Sequence, residues 1–231
     1  MAPKFSVMYF DIEGAGEPIR LAASLAGIEY EDKRVSYGEW GEMKQKMPNG
    51  QLPVMTIPGD DRMYPQCIAI LKKIEKWSGD VLTPAPENEY DVDEALALFG
   101  DCQMAWAPSL YIGMNPAKFG YPDGFAKTPE GEAKKLEMRA KFVAEILPKL
   151  LDSITILLDR HGGDAFLAGP KPTIADCRMF PWLRGFTRGH VDGVPTDVFE
   201  SHPKVLAYMH RFAKLPGVQG RYKDGIRYPM D

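Results

Sequence analysis

The sequence predicts a small α+β domain built on a mixed sheet, followed by an all-helical domain. Three observations carry this. The first third alternates strand and helix signals in the order βαβ then ββα, which suits a mixed sheet with helices on its faces. Residues 78–89 then change character, with Ser78-Gly79-Asp80 and Pro84-Ala85-Pro86 as turn and linker signals. Beyond them the chain is patterned as helix. The boundary falls there, giving residues 1–79 and 88–231 as the two domains. A chain of 231 residues is long enough for both.

The elements follow in order. Phe5 to Phe10 is a short apolar run and reads as a strand. Glu17 to Ala26 reads as an amphipathic helix, with Ile19, Ala22, Ala23 and Ala26 near one face and Gly27 as its stop. Tyr30 to Val35 is a second strand. Val54 to Ile57 and Arg62 to Tyr64 form a hairpin around Pro58-Gly59-Asp60-Asp61. Gln66 to Trp77 is a helix with Ile70, Ile74 and Trp77 spaced for burial. In the second domain, Asp91 to Ala107 places Val92, Ala95, Leu96, Phe99 and Met104 at helical spacing. Pro108 is expected to kink or end it. Gly113 to Pro129 is rich in Gly and Pro and reads as a long loop. Glu130 to Asp159 is a long helix, bent or broken near Pro148. Thr173 to Gly185 and His202 to Lys214 are further helices.

Composition narrows the function. Hydrophobic residues make up 45% and charged residues 26%, the balance of a folded chain. The net charge of −4 gives no general attraction to nucleic acid or anionic membranes, so neither is expected as a partner. The three cysteines, Cys67, Cys102 and Cys177, form no CxxC and no Cys/His zinc pattern. No metal is expected, and a reducing compartment is. MAPKFSVMYF has no long apolar run, and no stretch reaches the length of a membrane span. Cytoplasm is the expected location.

Five motifs then stand in order along the chain. Tyr9-Phe10-Asp11-Ile12-Glu13-Gly14-Ala15-Gly16-Glu17-Pro18-Ile19-Arg20 resembles the first strand and helix of cytosolic glutathione transferases. Pro48-Asn49-Gly50-Gln51-Leu52-Pro53-Val54 resembles their glutathione loop. Gln66-Cys67-Ile68-Ala69-Ile70 resembles their Gln-Ser-x-Ala-Ile helix start. Phe166-Leu167-Ala168-Gly169 with Thr173-Ile174-Ala175-Asp176 resembles the capping motif of their second domain, which reads as structural. His202-Pro203-Lys204-Val205 with Leu215-Pro216-Gly217-Val218 resembles their last helix and exit. The tyrosine-type classes, sigma above all, fit best. The resemblance implies a thioredoxin-like domain followed by an all-α domain, assembled as a homodimer, with glutathione as substrate or cofactor and small hydrophobic electrophiles as co-substrates.

The chemistry of the residues agrees with what the resemblance implies. A thiol of pKa about 8.5 is only a few per cent thiolate at neutral pH, and the thiolate is the nucleophile. A phenol aimed at the sulfur stabilises the anion, and the resemblance gives Tyr9 this catalytic role. It gives Gln51, Leu52 and Pro53 the backbone pairing with glutathione around a cis proline, a form of strand addition. It places Gln66 and Cys67 at a helix start that favours the γ-glutamyl carboxylate. It gives Trp40 and Lys44, four residues apart, the glycine carboxylate. Phe10, Met104 and Trp106, with Tyr222 or Tyr228, are candidates for the electrophile pocket.

The departures bear on activity. The family's serine is Cys67 here, a poorer donor. At a helix N-terminus it has an alternative, a lowered pKa and a mixed disulfide with glutathione. An arginine common just after the family's catalytic strand is Glu13 here, and a second found in some classes is Ala15, which removes positive charge near the sulfur. The family's aspartate donated across the dimer is left unassigned. These features keep two other readings open: a transferase-like binding or structural protein with little activity, and a sigma-like prostaglandin isomerase.

Overall fold

In a computed structural model, residues 4–219 are described. Tyr222 and Tyr228 lie outside the described residues. Strand β1 (Phe5–Phe10) buries Phe5 and Val7 and is central in the sheet. It pairs in parallel with β2 (Tyr30–Val35) and antiparallel with β3 (Val54–Ile57), which pairs in turn with β4 (Asp60–Pro65). The four strands run in the order β2-β1-β3-β4. Helix α1 (Glu17–Leu25) follows β1, and Gly27 beyond it adopts a left-handed φ of +63°, the stop that a glycine allows. The short helix α2 (Tyr37–Met43) starts with a Ser36/Glu39 capping box. Helix α3 (Cys67–Trp77) packs on α1, burying Ile70, Leu71 and Ile74 against Ile19, Ala22 and Ala23.

The rest is helical: α4 (Glu89–Tyr111), α5 (Pro129–Lys141), α6 (Leu147–Arg160), α7 (Ile174–Thr187), α8 (Pro203–Ala213) and the short α9 (Pro216–Gln219). Helix α4 runs through Pro108 rather than ending there. Proline removes the bond that the Met104 carbonyl would have accepted, and Met104 is exposed, where water can replace the donor. The long helix expected over 130–159 is two helices joined by a π-helical segment, Phe142–Ile146, just before Pro148. Residues 113–128 hold two short 3-10 turns.

Helix α7 is buried almost all round and packs on α1, α4 and α8. Its start carries the Thr173/Asp176 capping box, and Asp176 also accepts the Leu167 N–H at 3.0 Å. Helix α9 lies against α1, where the Ser24 hydroxyl donates to the Gly217 carbonyl at 2.7 Å. Sheet and helical unit therefore share one apolar core.

Candidate functional site

The site forms at the end of β1. Tyr9 pairs with Arg34 of β2, but the pairing with β3 ends one residue earlier, at Met8 and Val54. Tyr9 and Phe10 thus run past β3, beside the turn that carries the cis Leu52–Pro53 bond. The Tyr9 ring is packed against the Gly14–Gly16 turn. A Cβ on Gly16 would stand 2.7 Å from the ring, and one on Gly14 would stand 2.6 Å from the hydroxyl. The Ala15 N–H donates to the Tyr9 hydroxyl at 3.0 Å. Buried Arg20 holds this turn by donating to the Ile12 carbonyl at 2.8 Å, and it pairs with Glu17 and Asp32. Burial pushes the Tyr9 phenol above its ordinary pKa, against the opposite pull of the Ala15 N–H. The phenol is therefore neutral at physiological pH, with its proton available to a ligand.

Beside it lies a cleft of about 120 Å³. Gln51, Leu52 and Pro53 form one side, and Pro65, Gln66 and Cys67 the other. Ala15 and Arg178 complete the lining. Gln66 has a φ of +74°, costly for a residue with a Cβ, and holds an exposed side chain at this lining. Cys67 is the first residue of α3 and is buried. Burial pushes its thiol up, against a smaller opposing pull from Arg178. The lowered pKa that a mixed disulfide would need is thus the reverse of what burial imposes. Trp40 and Lys44 border neither this cleft nor the larger cavity. Trp40 meets Phe10 edge-on with centroids 5.5 Å apart, and the Lys44 stem lies over Gly50.

The cleft adjoins a cavity of about 650 Å³ between the sheet and the helical unit. Tyr9, Phe10 and Trp106 line it. Trp106 packs on Phe142 and Phe186, with centroids 4.9 and 5.0 Å away. Met104 does not line it: it is 69% exposed, because it stands one step round α4 from the lining residue Gln103. Tyr37, Leu110, Tyr111 and Trp182 also line it. These were not singled out in the sequence, although Leu110 and Tyr111 continue the face of Gln103, Trp106 and Ala107.

Glu13 does not leave a bare negative charge. It accepts from Arg184 at 2.5 Å and from Arg188 at 2.6 Å, both from the end of α7. Asp192, also at the cavity, pairs with Arg139 and Lys135, each at 2.5 Å. The Lys135 bond is first among the causes that hold its carboxyl down at about 2. Burial, then the Arg188 charge, push His190 below the ordinary imidazole value. Among the described residues no cluster of three or more His, Cys, Asp or Glu side chains is arranged to hold a metal ion.

A narrow cleft with a backbone edge, opening beside a neutral phenol into an aromatic-walled cavity, suits a peptide-like thiol on one side and an apolar partner on the other. The similarities to known proteins agree. The family model described as glutathione S-transferase, C-terminal domain, matches residues 124–222. The probable glutathione S-transferase gst-36 of Caenorhabditis elegans is 46% identical over 219 residues, covering 94% of each chain. A monomeric glutathione S-transferase of the hookworm Necator americanus superposes with a TM-score of 0.72 at 27% identity, covering 94% of this chain and 95% of that one. A prostaglandin synthase D of Nilaparvata lugens gives a TM-score of 0.75 at 22% identity, covering 94% and 96%, a likeness of fold. Matched to gst-36 at that identity along nearly its whole length, the chain belongs to the glutathione S-transferase family of enzymes.

Proposed function

We propose that the chain conjugates the thiolate of glutathione to small hydrophobic electrophiles, as a tyrosine-type transferase nearest the sigma class. The observation that carries this reading is Tyr9, a neutral phenol that lines the larger cavity and is held by Ala15, a residue common to the cavity and the cleft. In this reading glutathione lies along Gln51, Leu52 and Pro53, with the Leu52 backbone pairing its cysteinyl unit. Its γ-glutamyl carboxylate meets Gln66, Cys67 and the N-terminal N–H groups of α3. Its glycine carboxylate reaches Trp40 and Lys44. The thiol gives its proton to water, and the Tyr9 hydroxyl donates to the sulfur and stabilises the anion. Phe10 and Trp106 wall the space for the electrophile. Proximity and thiolate stabilisation then carry the reaction. The domains divide between residues 79 and 88, the enzyme works in the cytoplasm, and it does so as a homodimer.

Ala15 and Cys67 favour a second reading, a glutathione-binding protein with little turnover. Tyr9→Phe separates the two. It deletes one hydroxyl and keeps the ring, so folding and glutathione affinity should survive. The rate at neutral pH should fall ten- to a hundredfold if the bond contributes about 1.4 to 2.7 kcal/mol. The loss should shrink as pH rises, because the thiol then ionises unaided. The measurement is the pH–rate profile of both forms, with the bound thiolate followed by ultraviolet difference absorption. A phenylalanine variant with the parent's rate and profile would remove Tyr9 from the mechanism. A parent that binds glutathione but turns over no electrophile would favour the binding protein.

A further inference from the structure

We infer that Arg178 is the cation that faces the glutathione sulfur, supplied to the thiol site from α7 of the helical unit. This rests on reading the smaller cleft as the glutathione site. Arg178 is only 8% exposed. A guanidinium stays charged at any physiological pH, so a buried one needs an anion or a full set of acceptors. Other buried arginines have a carboxylate: Arg20 has Glu17 and Asp32, Arg139 has Asp192, and Arg184 has Glu13. Arg178 has no carboxylate within ion-pair distance among the described residues. Its contacts are a long 3.5 Å bond to the Gln103 Oε1 and the face of Phe99, 4.2 Å from the guanidinium carbon. Its Nε–H is buried without an acceptor. The ring offsets part of the charge but leaves that donor unmet.

Its location says which anion fits. Among the described residues Arg178 is the one charged residue lining the smaller cleft, and it lines the larger cavity as well. Among the described residues only Ala15 and Leu52 share both linings with it. The Ala15 N–H holds the Tyr9 hydroxyl, and Leu52 offers the backbone edge. Guanidinium and edge therefore border the place where the two spaces meet, with the phenol held beside it by Ala15, and there a thiol must stand to attack a molecule in the larger cavity. A carboxylate at the start of α3 would meet Gln66 and Cys67, which line the smaller cleft but not the larger cavity. The pull of Arg178 on the buried Cys67 thiol places its charge near the start of α3 as well, so the test must separate a thiol from a carboxylate.

Arg178→Met and Arg178→Gln test the assignment, with Arg178→Lys restoring charge. Two readouts are needed: titration of the bound glutathione thiol by ultraviolet difference absorption, and the affinity for S-methylglutathione, which has no thiol to ionise. The neutral variants should raise the bound thiol pKa by about one unit, roughly a tenfold loss of thiolate at neutral pH. S-methylglutathione should bind them as it binds the parent, and lysine should recover most of the shift. Apolar replacement of a buried charge is tolerated in cores, and the Gln variant supplies the same readout should Met misfold. An unchanged titration in the neutral variants overturns the inference alone. So does an unchanged thiol pKa with S-methylglutathione binding weakened tenfold, which would assign the cation to a carboxylate. A parent that binds neither ligand overturns the reading of the cleft and this inference together.

Discussion

Tyr9 keeps its ring in one place because the backbone turns past it at residues without side chains. Gly16 has an ordinary φ of −80°, so alanine there brings no backbone strain. What it brings is a methyl 2.7 Å from the ring, and the ring must shift. A displacement of about 1 Å in a positioning group can cost a hundredfold in rate. Gly16→Ala should therefore lower conjugation ten- to a hundredfold while S-methylglutathione still binds, and overpacking should cost about 1–3 kcal/mol in thermal unfolding. A variant with the parent's rate would show that the ring need not stand where it does. Cys67 raises a different question at the same scale. Its thiol is buried and neutral, so its use to a bound carboxylate is as a weak donor. A hydroxyl donates better but is costlier to bury unpaired. Cys67→Ser should lower the melting temperature slightly without ligand and raise glutathione affinity by a factor of a few. Titration calorimetry checks the second, and equal or weaker binding would contradict it.

Helix α7 joins the thiol site to the helical unit. Glu13, in the turn after β1, accepts from Arg184 and Arg188 at its end. Arg184 is fully buried, so the bond to Glu13 is made in a poorly solvated setting. Glu13→Gln keeps the shape and removes the charge. Chemical denaturation should then show a loss of about 2 kcal/mol, the range for hydrogen bonds to charged groups. A loss below about 0.5 kcal/mol would show that the pair contributes little. Glu13 also shows where a local reading stops. In sequence it replaces a cation, and nothing nearby reveals that α7, some 170 residues on, supplies its partners. The strands and α1 and α3 are different. Apolar runs and period-3.6 patterns report local geometry: β1 falls where its apolar run places it, and β2 spans the expected residues 30–35. Pro108 and Pro148 had different outcomes. Pro108 misled, because it sits in a helix that continues, whereas the break expected near Pro148 is there, as the π segment just before it. Which outcome follows depends on whether the freed carbonyl finds a donor, and that is settled by packing. Arg178 was overlooked because an arginine in a helix carries no signal in sequence until its neighbours are known, and only the structure shows α7 to be buried almost all round. Tyr9, Gln51, Leu52, Pro53, Gln66 and Cys67 were legible because their segments are short and contiguous. Met104 was misjudged because helical spacing gives a stripe but not which stripe meets the sheet.

At the scale of the molecule the open question is what covers the side formed by β4, α3 and α4. Met63 on β4, Ile68 on α3, and Tyr90 and Met104 on α4 are all exposed, Tyr90 at 74%. Strand β4 packs beside α3, and Lys72 of α3 pairs with Asp93 of α4 at 3.0 Å, so these elements adjoin. Exposed large apolar residues are ordinary when scattered, but on adjoining elements they mark a surface that association would bury. A stable dimer interface typically buries about 1,600 Å² in total, and apolar anchors of this size are the side chains that carry its energy. The chain should therefore sediment at micromolar concentration at twice its 25.8 kDa. Tyr90→Glu places a charge among those anchors, on a side chain with little to lose in the monomer. It should sediment at 25.8 kDa with an unchanged melting curve at low concentration. A parent that sediments as a single species of 25.8 kDa would align it with the monomeric hookworm relative and end the dimer proposal. A dimer that survives Tyr90→Glu would move the interface to another face.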